Sequence, residues 1–342
     1  MRREKMETIQ LSADAAGLEK AAAWIKNGEV VGMPTETVYG LAADARNPEA
    51  VAKVFAAKGR PADNPLIVHI ADLERLPELA CDIPSLAYRL AEKFWPGPLT
   101  MILKKKDCIP AITSGGLDTV GIRMPAHPAA LSLIRLAGVP VAAPSGNVSG
   151  YPSPTSAQHM VRDMSGRIAA ILDGGECSVG VESTVISFET ENTVRILRPG
   201  GVTQEQLLTV AENVVIDPAI LHELEEGQTV RSPGMKYQHY SPAARVVLAE
   251  GDYEGFCIYV NTHGDSSTFA LVYDGEGEGL TVPVMTYGKD EQEQAQQLFA
   301  ALRALDEKHA GCVYVRAPKP EGIGLAVYNR LIRAAGFEVI QV

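Results

Sequence analysis

A turn rich in hydroxyl and carboxyl side chains follows a short apolar segment near the start of the chain. Val30, Val31 and Gly32 precede Met-Pro-Thr-Glu-Thr-Val-Tyr-Gly-Leu at 33–41. The apolar run is typical of a strand, and polar groups on the loop after a strand often serve binding. Thr35 in this turn is therefore a candidate to contact a ligand.

Two cations and an amide follow a helical pattern at 47–58. Lys58 and Arg60 are separated by one glycine, and Asn64 stands just before Pro65. Such a turn can direct several charged or polar donors at phosphate oxygens. The alternative is that Lys58 and Arg60 only complement the C-terminal end of the helix dipole.

A third polar turn, Ser145-Gly146-Asn147, follows the apolar stretch 139–143. Its glycine allows a ligand to approach the backbone closely. Ser145 is a weak candidate for a nucleophile, because the chain contains no Gly-x-Ser-x-Gly elbow. A hydroxyl that donates to phosphate, or to water on a metal ion, fits better.

Side-chain alternation along two predicted strands adds a histidine and an arginine. In the strand 66–70, His69 lies on the face opposite Leu66, although a lone strand histidine is more often a buried core residue. In the strand 119–124, Thr119 and Arg123 share a face with Gly121. Arginine can hold a carboxylate through two hydrogen bonds; the alternative for Arg123 is a salt bridge to a nearby Asp or Glu.

Helical and strand patterns alternate along the chain and must position these residues. Predicted helices are 13–26 with Ser12 as a cap, 47–58, 84–94, 128–137, 155–163, 290–308 and 322–335. Predicted strands are 29–33, 66–70, 99–104, 119–124, 139–143, 168–172, 181–188, 193–198, 256–260, 269–272 and 312–315. This alternation predicts an α/β protein with a large twisted sheet, followed by a smaller Rossmann-like domain.

Two domains are expected, at 1–216 and 246–342, and a linker at 217–245 joins them. Within the linker, 232–242 carries Met, Lys, His and two Tyr among Pro and Gly. A passive linker would have fewer side chains suited to binding.

Composition restricts the class of protein. The chain has 342 residues, 46% of them hydrophobic, and a net charge of −11. The acidic balance disfavours a general nucleic-acid binder, and no apolar run reaches the roughly 18 residues of a membrane span. The start of the chain lacks the apolar stretch of a secretory signal, so the cytoplasm is expected. The five cysteines and seven histidines show no metal-binding spacing, so no protein metal site is predicted.

Taken together, the turn at 34–41, Lys58-x-Arg60, Ser145-x-Asn147 and the second domain resemble the threonylcarbamoyl-AMP synthase family, in its long, two-domain Sua5 type. This resemblance implies an open, twisted YrdC-like α/β domain with a positively charged cavity. It also implies that L-threonine, bicarbonate or CO₂, and ATP give threonylcarbamoyl-AMP and pyrophosphate, with Mg²⁺ accompanying the nucleotide. A partner transferase would then modify an adenosine of certain tRNAs.

The resemblance also implies roles for individual residues. Lys58 and Arg60 would be catalytic through their charge. ATP would be bound by Arg60, Asn64, Thr119, Ser145, Asn147, Ser153, Arg198 and Tyr237. L-Threonine would be bound by Thr35, His69, Arg123, Ala143 and Ser183. Ser183 could equally be an ordinary hydroxyl on a half-exposed strand.

Two other functions compete with this interpretation. An RNA-binding module would use a basic cavity on an RNA backbone, but the acidic net charge disfavours it. A hydrogenase-maturation carbamoyl transferase would need acylphosphatase and zinc-finger segments that are not expected here. The 232–242 segment is expected to close over the cavity with Tyr237 at the nucleotide, Tyr240 being the alternative, and with Lys236 or His239 nearby. It could instead serve only as a docked tether.

Overall fold

The computed structural model describes residues 7–59, 64–222 and 240–342. Seven helices, numbered in chain order, connect strands of a first sheet. They are α1 (Ala15–Lys26), α2 (Pro48–Lys58), α3 (Leu76–Leu79), α4 (Ser85–Phe94), α5 (Ala111–Ser114), α6 (Pro128–Ala137) and α7 (Ala157–Met164). A short helix α8 (Gln204–Leu207) precedes the last strand of this sheet.

The first sheet contains twelve strands from the described part of the chain. They are β1 (Ile9–Ser12), β2 (Val31–Met33), β3 (Gly40–Asp44), β4 (Ile67–His69), β5 (Ala80–Cys81), β6 (Leu99–Lys105), β7 (Thr119–Arg123), β8 (Val141–Ala142), β9 (Ala170–Asp173), β10 (Thr184–Phe188), β11 (Thr193–Arg198) and β12 (Asn213–Ile216). We call this sheet and its helices the N-terminal unit.

The order of strands in the first sheet is β1-β9-β2-β3-β8-β4-β7-β6-β10-β11-β12, with β5 paired to β6. Parallel and antiparallel pairs are mixed, so the predicted large α/β sheet is confirmed. The register is decisive for the site. On the parallel pair β4–β7, His69 lies beside Arg123, and His69 also faces Val141 of β8.

The second sheet is entirely parallel, as the predicted Rossmann-like domain requires. Its strands are β13 (Arg245–Glu250), β14 (Thr268–Val272), β15 (Val284–Thr286), β16 (Cys312–Arg316) and β17 (Val339–Gln341), in the order β15-β14-β16-β13-β17. Its helices are α9 (Tyr253–His263), α10 (Glu291–Glu307) and α11 (Gly324–Ala334). We call this the C-terminal unit.

Apolar packing joins the two units. Val38 and Val181 of the N-terminal unit belong to the same buried cluster as Leu298, Phe299 and Leu302 of α10. Burial of apolar side chains is the main favourable contribution to such an interface. The neighbours of Val38 and Val181 in sequence therefore lie close to the C-terminal unit.

One predicted strand, 256–260, is wrong, because these residues form the middle of helix α9. Asp252 caps the helix by accepting a hydrogen bond from the amide of Gly255. Phe256 and Val260 share the buried face at helical spacing, whereas Ile258, which a strand would place with them, is 63% exposed. A short apolar run cannot distinguish the two structures by itself.

Other local differences concern caps and short strands. Ser12 lies in β1 and Asp14 caps α1, with its Oδ1 accepting from the amide of Gly17 at 2.8 Å. Strands such as β1, β3 and β13 were not predicted, and part of the polar turn at 33–41 belongs to β3. Few residues and neighbouring turn signals make such strands difficult to recognise from sequence.

Candidate active site

A cavity of about 700 Å³, including its open mouth, lies where the central strands of the first sheet meet the polar turns. Most of the predicted site residues on the described part of the chain line it. The lining comprises Thr35, Thr37, Val38, Gly40, Pro65, Leu66, Ile67, His69, Arg123, Ala143, Pro144, Ser145, Asn147, Glu182, Ser183, Arg198 and Tyr240.

The turn between β2 and β3 is held by its own hydroxyl groups. Thr35 Oγ1 donates to the carbonyl of Val38 at 2.6 Å and accepts the Val38 amide at 3.2 Å. The Thr35 and Thr37 hydroxyls lie 2.8 Å apart. Side-chain bonds of this kind stabilise turns, so the turn presents its threonines to the cavity as an ordered unit.

Arg123 lies at the end of β7, with its side chain 5% exposed. Its guanidinium donates to Glu36 Oε1 at 2.6 Å, to Thr37 Oγ1 at 2.9 Å and to the carbonyl of Gly97 at 3.2 Å. The salt bridge considered from the sequence is therefore present. An arginine carries five N–H groups, and two of those on Arg123 have no bond to the described residues, so they could serve a carboxylate in the cavity.

His69 is neutral in this environment. Its ring is buried and its Nδ1 lies 3.2 Å from the carbonyl of Ile67. Burial, and then the positive charge of Arg123, lower the pKa of His69 to about 3. His69 can thus form hydrogen bonds in the cavity without adding a charge there.

Lys58 connects helix α2 to the turn at 145–147. Its side chain is buried, and its ammonium donates to the carbonyls of Ser145 and Asn147, the latter at 2.8 Å. The lysine ends its helix as predicted, but its charge is directed at another loop rather than only at the helix end. Lys58 does not itself line the cavity; it holds two residues that do.

The same turn is shaped by Gly146 and Asn147. A Cβ on Gly146 would lie 2.1 Å from Met160 Sδ, so a larger residue would have to displace the Met160 side chain. Asn147 donates to the carbonyls of Val148 and Tyr151 at 2.8 Å, while its buried Oδ1 has no partner among the residues that the structure describes. Asn64 is likewise buried but does not line the cavity, and within the described part of the chain neither its side-chain oxygen nor its nitrogen has a partner. Unpaired buried polar groups are costly, which makes both amides candidates for ligand contacts.

Ser183 and Arg198 lie together on the opposite wall. Arg198 donates through Nε and Nη2 to the carbonyl of Ser183, at 3.1 and 3.0 Å, and through Nη2 to Ser183 Oγ at 3.2 Å. Ser183 Oγ also lies 2.8 Å from Thr100 Oγ1. Ser183 is thus a buried wall residue rather than a hydroxyl on a half-exposed strand.

Glu182, which precedes Ser183, is a buried carboxylate on this wall. Its Oε1 accepts from Ser153 Oγ at 2.6 Å, and its Oε2 accepts from Arg330 Nε at 3.0 Å. Burial alone would raise the pKa of Glu182, but the charges of Arg330 and Arg198 and the Ser153 hydroxyl hold that pKa below its usual value. Glu182 is therefore ionised.

The structure separates some predicted site residues from the cavity. Ser153 is fully buried and does not line the cavity, but its hydroxyl donates to Glu182, which does. Thr119 lies at the far end of β7 from Arg123, opposite Lys104, and does not line the cavity. Ala143 does line it. Arg60, Lys236, Tyr237 and His239 lie outside the described residues.

Several residues at the site were not predicted. Thr37 and Glu36 stand in the same turn as Thr35, where spacing could have indicated them. Glu182 adjoins the predicted Ser183, but its role depends on a partner almost 150 residues away in the chain. Tyr240, by contrast, was the predicted alternative to Tyr237; it lines the cavity, and its ring lies 5.3 Å from that of Phe299. Only the fold brings Thr37, Glu182 and Tyr240 to one cavity.

Metal-binding clusters and membrane spans are both missing from the ranges 7–59, 64–222 and 240–342. No group of three His, Cys, Asp or Glu side chains in these ranges could hold a metal ion. In the same ranges no helix is long and apolar enough to cross a membrane.

Comparisons with known proteins agree across both units. Residues 23–200 match the Sua5/YciO/YrdC family described as "Telomere recombination", and residues 202–336 match "Threonylcarbamoyl-AMP synthase, C-terminal domain". A protein named threonylcarbamoyl-AMP synthase from Pyrococcus abyssi is 45% identical over 94% of this chain and 95% of its own. One of the same name from Bacillus subtilis is 44% identical over 98% and 97%.

A solved structure gives the same result in three dimensions. The crystal structure of P. abyssi Sua5 complexed with L-threonine superposes with a TM-score of 0.90 at 42% identity, covering 98% of this chain and 99% of that one. Both units and nearly their full length are thus shared. The chain belongs to the threonylcarbamoyl-AMP synthase family.

Proposed function

We propose that this enzyme condenses L-threonine, bicarbonate or CO₂, and ATP into L-threonylcarbamoyl-AMP and pyrophosphate. The observation that carries the proposal is the convergence of two buried guanidinium groups, Arg123 and Arg198, on one cavity. One can take a carboxylate while the other takes phosphate, which is what joining an amino acid to a nucleotide requires. A relative of this chain, P. abyssi Sua5, has been solved with L-threonine bound.

The threonine half of the site would be formed by Arg123 and its neighbours. Arg123 would bind the α-carboxylate, and Thr35, His69 and Ser183 would contact the remaining polar groups. Ala143 would offer an apolar contact to the substrate methyl, a difference worth about 1 to 3 kcal/mol between threonine and serine. The neutral state of His69 favours this role, since a second charge beside Arg123 would repel it.

The nucleotide half would be formed by the turn at 145–147 and the wall at Arg198. Ser145 would donate its hydroxyl to a phosphate oxygen, and Asn147, whose amide N–H groups are already engaged, would offer its Oδ1 to the nucleotide as an acceptor. Lys58 would hold the backbone of both residues in place and, as predicted, offset phosphate charge. Asn64 fits this half because its buried amide has no protein partner among the described residues. Arg60, Thr119, Ser153 and Tyr237 keep their predicted roles at ATP as proposals; of these, Ser153 would act through Glu182.

The chemistry needs no covalent intermediate on the protein. The threonine nitrogen forms a bond to the carbon of CO₂ and loses a proton, which gives a carbamate. A carbamate oxygen then attacks the α-phosphorus, and the bond from that phosphorus to the bridging oxygen breaks as pyrophosphate leaves. The enzyme's task is to bring two anions together, orient them and offset their repulsion.

Mg²⁺ is proposed only as a companion of the nucleotide. The hydroxyl and amide groups near the phosphate position are weak ligands, and both Glu36 and Glu182 are engaged by arginines. The residues therefore fit a metal held mainly by phosphate oxygens rather than by a protein cage. When bound, it would offset phosphate charge.

The segment 232–242 is proposed to shield the labile product from water, with Tyr237 at the nucleotide and Lys236 or His239 nearby. In support, Tyr240 at the described end of this segment lines the cavity. A chain that ends near 217 should turn over poorly or release product faster. The product would pass in the cytoplasm to a transferase that modifies tRNA.

Pyrophosphate release with each substrate omitted in turn tests the proposed function. We expect release only when ATP, threonine and bicarbonate are all present. A binding module for RNA would instead show salt-sensitive RNA affinity and no turnover. Release that is independent of threonine would contradict the assignment.

A further inference from the structure

The largest fully buried side chain of the described protein comes from the C-terminal unit and lies against the cavity wall. Arg330 of α11 is 0% exposed. Its Nε donates to Glu182 Oε2 at 3.0 Å and its Nη1 donates to the carbonyl of Pro199 at 2.6 Å. Both acceptors belong to the N-terminal unit, so Arg330 is a contact between units rather than a core group of its own unit.

The two acceptors adjoin the residues of one cavity wall. Glu182 comes directly before Ser183, and Pro199 comes directly after Arg198. Close backbone approach continues at Gly200, where a Cβ would lie 2.2 Å from the carbonyl oxygen of Glu182. Arg330 therefore fixes the two chain segments that carry Ser183 and Arg198 relative to each other.

The charge of Arg330 matters as much as its hydrogen bonds. Glu182 lines the cavity, and of its two oxygens one is engaged by Ser153 and the other by Arg330. Removing one partner of a buried ion pair leaves an uncompensated charge in a poorly hydrated place. Without Arg330, the anion of Glu182 would repel phosphate groups in the cavity and compete with them for Arg198.

We propose that Arg330 is a positioning residue of the nucleotide site, which neutralises Glu182 and so keeps Arg198 directed at the anionic substrate. The C-terminal unit thereby contributes to the electrostatics of a cavity built on the other unit. The inference rests on the proposed function for the identity of the anion as ATP.

Arg330→Met tests this inference, with Arg303→Met as a matched control in the full chain. Arg303 also joins the two units through a buried ion pair, to Asp163 at 2.6 Å, but neither residue lines the cavity. Dissociation constants for ATP and for L-threonine are measured by calorimetry. For Arg330→Met we expect ATP binding to weaken roughly 5- to 150-fold, the usual range for coupling between sites.

The dissociation constant for threonine distinguishes the loss of a charge at the site from a general loosening of the structure. Free threonine carries no net charge, and Ser183 is only one of its several proposed contacts, so Arg330→Met should weaken ATP binding much more than threonine binding. We expect the threonine constant to change by no more than about twofold. Arg303→Met should change neither constant beyond that limit. Equal weakening of both ligands, or equal effects of the two variants on ATP, would overturn the inference.

The double variant Glu182→Gln/Arg330→Met tests the route of the effect. Because the substituted glutamine side chain is neutral, ATP affinity should return to within about twofold of the Glu182→Gln variant, whatever the melting temperature. This comparison does not require Arg330→Met to fold alone, and a large remaining loss in the double variant would show a merely structural contact. If the wild-type chain binds ATP but forms no pyrophosphate, the proposed function fails while these binding comparisons still decide the role of Arg330.

Discussion

The buried, neutral His69 should make the stability of the N-terminal unit depend on pH in a measurable way. The pKa of His69 is about 3 in the folded protein, against about 6.5 in an unfolded chain. A histidine whose pKa is lowered by folding contributes stability that is present above the unfolded pKa and lost as pH falls. Between these two pH values, His69 carries a proton in the unfolded chain but not in the folded protein.

The size of the effect follows from linkage. Each pH unit inside the window costs about 1.4 kcal/mol, so moving from about pH 7.5 to about pH 5 should remove roughly 2 kcal/mol of unfolding free energy through this residue alone. His69→Gln removes the titrating group. The variant should therefore lose about 2 kcal/mol less than the wild type over the same interval.

Urea unfolding followed by tryptophan fluorescence is the suitable assay. Both tryptophans of the chain, Trp24 and Trp95, lie in the N-terminal unit with His69, so the signal reports that unit. His127→Gln is a matched control, because His127 is a cap at the start of α6 outside the cavity lining. Identical pH dependence in wild type and His69→Gln would refute the neutral, buried state of His69.

Three further predictions concern the site. Lys58→Met should lower kcat/KM for ATP about 10- to 150-fold, because it releases the carbonyls that Lys58 holds; Lys53→Met, on the exposed side of the same helix, should not. Equal pyrophosphate-release kinetics in the two variants would contradict this prediction. Arg123→Met should raise the KM for threonine far more than the KM for ATP. Adding Glu36→Gln should restore the melting temperature but not threonine binding, and a double variant that recovers both would show that Arg123 has only a structural role. Gly200→Ala should lower the free energy of unfolding by about 1 to 3 kcal/mol, because its Cβ meets backbone rather than a movable side chain; an unchanged urea midpoint would contradict that clash.

The family, the class of fold and eight of the seventeen residues that line the cavity could be predicted from the sequence. Long helices with clear spacing, such as α6 and α10, were predicted to within a residue or two, since their patterns extend over several turns. The polar turns around Thr35 and Ser145 were recognised because their residue types are unusual directly after apolar strands. Such features are local: they depend only on residues that are close together in the sequence, so the sequence is enough to predict them.

The packing of these helices, strands and turns, and the partners of their buried charges, became clear only from the folded structure. The exposure of Ile258 distinguishes helix α9 from a strand, and exposure is set by packing rather than by the residue's own type. Lys58 was predicted to contact phosphate, and only the fold shows that its ammonium also holds the turn at 145–147. Arg330 lies almost 150 residues from Glu182 in the chain, and nothing at either position indicates the other. A buried charge needs its partner in space, and only the folded chain determines which residue that partner is.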